Sequence, residues 1–171
     1  MGPVEAPVSS GHPFNSVLET GVRAVVMLEA FYPRPCDLME LTWLDYVVVH
    51  TGDLEGDNVP SSLHPALPNR TGELVVRRPL VERSLRMMQQ MHLVEVHEMD
   101  SGIQYCASEN APSYLVLLQA PYSQALKHRA RWVADRFRGM NTAEIKGLIE
   151  QRIGRWTAEF RSNEMPGGAL S

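Results

Sequence analysis

The sequence predicts a mainly α chain carrying one small β-hairpin, an α+β arrangement. Three observations lead there. Apolar residues recur at helical spacing from Val17 to Phe31, from Leu38 to Val49 and from Leu80 to Met91. Only residues 93–107 switch to strict apolar/polar alternation. Between the second and third helical stretches lies His50–Glu73, a polar segment rich in Gly, Asn, Pro and Ser. Loops of that length inside a small domain are uncommon and are usually functional or disordered.

Each element has its own signals. Residues 1–13, rich in Pro, Gly and Ser, read as a disordered arm. Ser16 and Glu19 form a capping box that opens the first helix, and Pro33 and Pro35 close it. Glu19 and Arg23, four apart, are expected to pair on the outer face of that helix. Asp37 caps the second helix, with Glu40 at its third position. Asp45 shares a stripe with Leu41 and Val48, where a carboxylate is costly to bury without a partner. Arg23 and Arg70 are the first partners to expect.

After the loop, Thr71 is the candidate cap of a third helix starting near Gly72, which Arg78-Pro79 kinks or divides. Beyond Pro79 the residues Leu80, Val81, Ser84, Leu85, Met87, Met88 and Met91 fall in one arc, with Arg83, Arg86 and Gln90 opposite. The alternating segments 93–97 and 103–107 flank Met99-Asp100-Ser101-Gly102, which supplies turn residues for a hairpin. Three helices followed by a two-stranded wing describe a winged helix-turn-helix, here with its turn expanded into the long loop. That domain is expected to span 14–108, with the loop at 50–73. A C-terminal helical extension follows at 109–160: a short helix from Asn110, a break at Pro121, a basic helix over Ser123–Arg138, and a last helix restarted by Asn141 and Glu144. Residues 161–171 read as a flexible tail.

Charge and composition narrow the function. The 171 residues have a formal net charge of -4 and are 44% hydrophobic, an ordinary globular balance. The charge is polarised: -7 over residues 1–69, -1 over 70–120 and +4 over 121–171. Such a chain suits docking against charged partners rather than coating nucleic acid. Cys36 and Cys106 stand in no metal-ligand spacing, which is consistent with a reduced cytoplasmic setting. No signal peptide is recognisable, and no apolar run approaches the roughly 20 residues of a membrane span.

The loop gathers groups that invite a metal or hydrolytic reading: Asp45, His50, Asp53 and His64. Their spacing matches no established ligand pattern and supplies no fourth ligand. The favoured reading is that Asp45, His50, Asp53, His64 and Arg70 anchor the loop, with no cofactor. No phosphate-binding glycine loop and no G-x-S-x-G nucleophile motif occurs. A winged helix can place its third helix in the major groove, so Arg83, Arg86 and Gln90 are candidate base contacts, and Arg77 and Arg78 candidate phosphate contacts. The acidic Glu95, Glu98 and Asp100 of the wing oppose that reading. Lys127, Arg129 and Arg131 are candidates for meeting an acidic partner or a nucleic-acid backbone.

Five strings carry a family resemblance: F-N-S-V-L-E-T-G-V-R-A (14–24), L-T-W-L-D-Y-V-V-V-H-T-G-D (41–53), S-L-H-P (62–65), R-T-G-E-L-V-V-R-R (70–78) and R-A-R-W-V (129–133). Over residues 14–138 the chain resembles the middle components of ABC-three-component systems, small bacterial proteins related to those of Lamassu-like, SMC-associated defence operons. The resemblance implies a non-enzymatic winged-helix adaptor linking an SMC- or ABC-type ATPase to an effector, often a nuclease; a non-specific DNA contact within such a complex is a separate expectation, resting on the exposed cations named above. The alternative is a winged-helix transcription regulator.

Overall fold

A computed structural model of the protein describes residues 16–66 and 70–152. The arm expected at 1–13 and the tail expected at 161–171 lie outside the described residues, as do the side chains of Arg70 and Thr71.

The element order is α1 (Val17–Phe31), α2 (Leu38–Val49), a 3-10 turn (Thr51–Asp53), α3 (Arg70–Gln90), β1 (Val94–Met99), β2 (Gly102–Ala107), α4 (Ala111–Val116) and α5 (Pro121–Phe137). Residues 142–152 are also helical. The chain is therefore mainly α with one antiparallel hairpin, an α+β fold.

Both expected N-caps are made. Ser16 Oγ accepts from the Glu19 amide at 3.0 Å, and Asp37 Oδ1 from the Glu40 amide at 2.8 Å. Each satisfies one of the amides a helix start leaves without an internal partner. The helix at 142–152 opens on a reciprocal box: Asn141 Oδ1 accepts from the Glu144 amide, and Glu144 Oε2 accepts from the Asn141 amide, both at 2.9 Å.

Helix α3 departs from expectation at two points. It starts at Arg70, so residues 70–73 belong to the helix and the loop is shorter than expected. It also runs unbroken through Pro79. Proline removes the bond to the carbonyl four residues back, that of Val75. Val75 and Pro79 both face solvent, where water can serve that carbonyl. The helix ends where His92, at φ 58°, takes the left-handed conformation. There the Leu93 amide donates to Met88 O and the His92 amide to Gln89 O, which closes the last carbonyls.

The hairpin pairs Val94 with Ala107 through to Met99 with Gly102. Asp100-Ser101 forms its turn, and Gly102 sits at φ 117°, which a side chain would disfavour. A third segment joins the hairpin. Cys36, between α1 and α2, exchanges two backbone hydrogen bonds with Tyr105, at 2.9 and 2.8 Å.

Helix α1 lies at the centre and packs on α2, α3 and α5. One hydrophobic cluster runs through the described residues, from Val25 and Leu28 of α1 to Phe137 of α5 and Ile145 and Ile149 beyond it. The core thus crosses the boundary expected at 108–109. Glu40 ties the last helix to α2, accepting from Arg34 at 3.1 Å and Thr142 at 2.9 Å. The break expected at Pro121 is present: α4 ends at Val116, and Pro121 is the first residue of α5, where its missing amide costs nothing.

Candidate functional site

Asp45 stands on α2, within the stripe that faces the core, and its side chain is 3% exposed. Two cations reach it. Arg23 Nε donates to Oδ1 at 2.7 Å, and Arg77 Nη1 donates to Oδ2 at 2.6 Å and to the Asp45 carbonyl at 3.2 Å. Arg23 also donates to Thr20 Oγ1, and Arg77 to Glu73 Oε1. The Arg77 guanidinium lies over the Tyr46 ring, 5.4 Å from its centroid. Burial alone would push the Asp45 carboxyl up, but the two guanidiniums outweigh it and hold the carboxyl below its usual range. The group is a charged clamp between α1, α2 and α3.

Arg23 was expected on the outer face beside Glu19; it turns inward, and Glu19 is exposed. The anticipated Arg23–Asp45 pair is present. Arg77 is a partner of Asp45 that the sequence did not single out. Expected at the surface as a phosphate or partner contact, it is buried against α2, where it bonds the Asp45 carboxylate and carbonyl. Arg70 is the expected partner whose side chain lies outside the described residues.

A ring layer covers this clamp. His50 ends α2, with its backbone amide donating to Tyr46 O and Val47 O, and its ring lies 4.5 Å from the Tyr46 centroid. Tyr46 Oη donates to Asp53 Oδ2 at 2.5 Å. His64 packs edge-on against His50, and its Nε2 is 2.8 Å from Tyr122 Oη on α5. Burial, then the nearby Arg23 charge, lower the His64 imidazole to about 4, so it is neutral at pH 7. Burial raises the Tyr122 hydroxyl, and the neighbouring Arg23 opposes that rise. Among the described residues, no three His, Cys, Asp or Glu side chains gather as a metal site.

The loop itself is clasped from α5 and beyond. Arg129 donates to Ser61 O at 2.8 Å and to Ser61 Oγ at 3.2 Å. Arg136 donates to Glu55 O, and Arg152 pairs with the Glu55 carboxylate at 2.6 Å. Within the loop, Thr51 Oγ1 donates to Pro60 O, the Gly52 amide to Ser62 Oγ, and the His64 amide to Val49 O. Arg129 therefore departs from its expected outward role, because Ser61 lies directly opposite its turn of α5. Lys127 departs likewise: its Nζ donates to Leu115 O and Leu118 O at the end of α4. Arg131 is exposed. No local signal in the sequence separates Arg131 from Lys127 and Arg129, since the α4-end and loop carbonyls that the latter two meet lie outside α5.

On α3 the outward face carries Val75 and Val76, each 70% exposed, with Arg78, Pro79, Arg83, Arg86 and Gln90. Arg86 pairs with Glu82 at 3.0 Å. On the hairpin, Glu95, Glu98 and Asp100 are exposed.

Fold and site together define a small helical protein with a hairpin, whose acids, guanidiniums and imidazoles serve one another across elements. Residues 13–159 match the ABC-three component (ABC-3C) system Middle Component 2 family, and the chain belongs to that family. No curated protein and no solved structure matches the chain.

Proposed function

We propose that the chain is a non-catalytic accessory subunit that links an SMC- or ABC-type ATPase to an effector, most simply a nuclease, in a Lamassu-like bacterial defence complex acting in the cytoplasm against phage or plasmids. The observation that carries this reading is the family match over residues 13–159, which makes the chain a middle component of a three-component system. The site supports the non-catalytic part. Asp45, Asp53 and His64 all engage Arg23, Arg77, Tyr46 or Tyr122 within the fold. Among the described residues, no helix is long and apolar enough to cross a membrane.

The adaptor is a winged helix on this reading. The order of three helices and a hairpin supports it, and so does the Cys36–Tyr105 bridge, which adds a third short strand segment from between the first two helices. Arg83 and Gln90 are exposed on α3 for a non-specific DNA contact within the complex, while the acidic wing disfavours sequence-specific promoter binding.

Co-expression with the two other components tests the proposal. A ternary complex that loses the ATPase–effector link when this chain is omitted is the expected result. Assembly of the other two without it, with this chain left alone in solution, would sink the linking role. Salt-dependent retention of the isolated chain on promoter DNA, lost in Arg83→Ala, would favour the regulator instead.

A further inference from the structure

An open groove of about 730 Å³ runs between α1, α4 and α5. Its floor and one wall are apolar, built from Val26 and Ala30 of α1 and Pro112, Leu115 and Val116 of α4. Val116 is 65% exposed, and Tyr32 at the groove's end is 59% exposed. The opposite rim is basic. Lys127, Arg131 and Arg138 line it against one acid, Glu29.

These cations are not equivalent. Lys127 is engaged with the α4 carbonyls, and Arg138 pairs with Asp135 at 3.4 Å. Arg131 is exposed, and among the described residues no carboxylate pairs with it. An apolar trough beside a cationic edge, in a chain of net charge -4, is a local inversion of the molecule's own charge. Tyr32, Pro112 and Val116, apolar and exposed beside such an edge, suit a protein contact whose charge complements the rim. A nucleic-acid backbone would match the rim but would leave the apolar trough unserved.

We infer that this groove docks an amphipathic segment of another component of the same system, one that sets aliphatic or aromatic side chains against Tyr32, Pro112 and Val116 and carboxylates against Arg131. This rests on the accessory-subunit reading above and adds to it where, and by what chemistry, one partner is held. It is also a face other than that of the exposed α3 residues, so a DNA contact or a second partner on α3 would not compete with it.

The test uses the full chain co-expressed with the two other components. A photo-crosslinking benzoylphenylalanine replaces Val116, and Arg131→Glu and Arg131→Lys are made separately. Both positions are exposed, so each variant should melt within a few degrees of the unsubstituted chain. The expected result is a crosslink to an acidic, apolar segment of one other component, with co-purification of that component falling roughly tenfold in Arg131→Glu and kept in Arg131→Lys. A crosslink to a second copy, to this chain's own residues or to DNA overturns the inference, as does full co-purification by Arg131→Glu. If the unsubstituted chain co-purifies with neither component, the accessory-subunit reading itself falls and the groove proposal with it. If it co-purifies and the variants behave alike, only the groove is wrong.

Discussion

Arg77 Nη1 stands 2.6 Å from Asp45 Oδ2, thirty-two residues away in the chain, and each side chain is 3% exposed. A buried pair of this kind is weak evidence of net stabilisation against an apolar replacement, because both charges were taken out of water. Removing one member is another matter, since the other is left charged in the interior.

Asp45→Ala and Arg77→Ala should therefore each cost about 3–5 kcal/mol in urea unfolding. Arg83→Ala, on the exposed face of the same helix, should stay within about 0.5 kcal/mol. Equal, small effects at residues 77 and 83 would show that the clamp does not hold the three helices.

His64 gives the fold a dependence on mild acid. Its folded value of about 4 lies below the ordinary 6.5, so between these values the unfolded chain binds the extra proton. Stability is complete above pH 6.5 and declines as pH falls towards 4, by about 1–2 kcal/mol at pH 5. Asp45 has the same sign lower down: its contribution is present above the unfolded carboxyl value and is lost as pH falls through its depressed folded one. His64→Gln should flatten the melting temperature between pH 7 and 5 while leaving the steeper loss at lower pH. An unchanged slope in that variant would count against His64 as its origin.

Gly21 marks where α1 and α3 approach. A Cβ there would lie 2.5 Å from Met88 Cε and 3.0 Å from Cγ, and Met88 is fully buried. Alanine is favoured over glycine in a helix by about 1 kcal/mol, while overpacking costs about 1–3 kcal/mol. Gly21→Ala should thus destabilise. In a Met88→Ala background, where both of those carbons are gone, the same change should stabilise. Denaturation of all four chains of this cycle reads the reversal directly.

The loop depends on α5 for its shape. Arg129→Ala removes both bonds to Ser61, worth about 1 kcal/mol at this partly solvated position. Amide exchange at Gly52 and His64 should speed up about fivefold while the α1 amides exchange as before. Uniform exchange across loop and core would mean that the loop is held by something else.

Local signals account for what was legible. Ser16, Asp37 and Asn141 cap helices through atoms three residues away, and the alternation of 93–107 needs only its neighbours to be read. The burial of Asp45 and its pairing with Arg23 follow from a carboxylate placed on an apolar stripe. Arg77, Lys127 and Arg129 were misplaced because their partners are set by packing, not by spacing. His92 ends α3 without the glycine that usually announces such a cap. The groove was invisible for a related reason: Val116 and Arg131 lie on separate helices, and nothing in either segment records the other.

The two backbone bonds between Cys36 and Tyr105 couple the hairpin to the corner between α1 and α2. Tyr105 pairs with Val96 on one side and with Cys36 on the other, so the middle of β2 is held from both edges. The register of β2 is thereby tied to the corner that leads into the Asp37 cap of α2, the helix that carries Asp45.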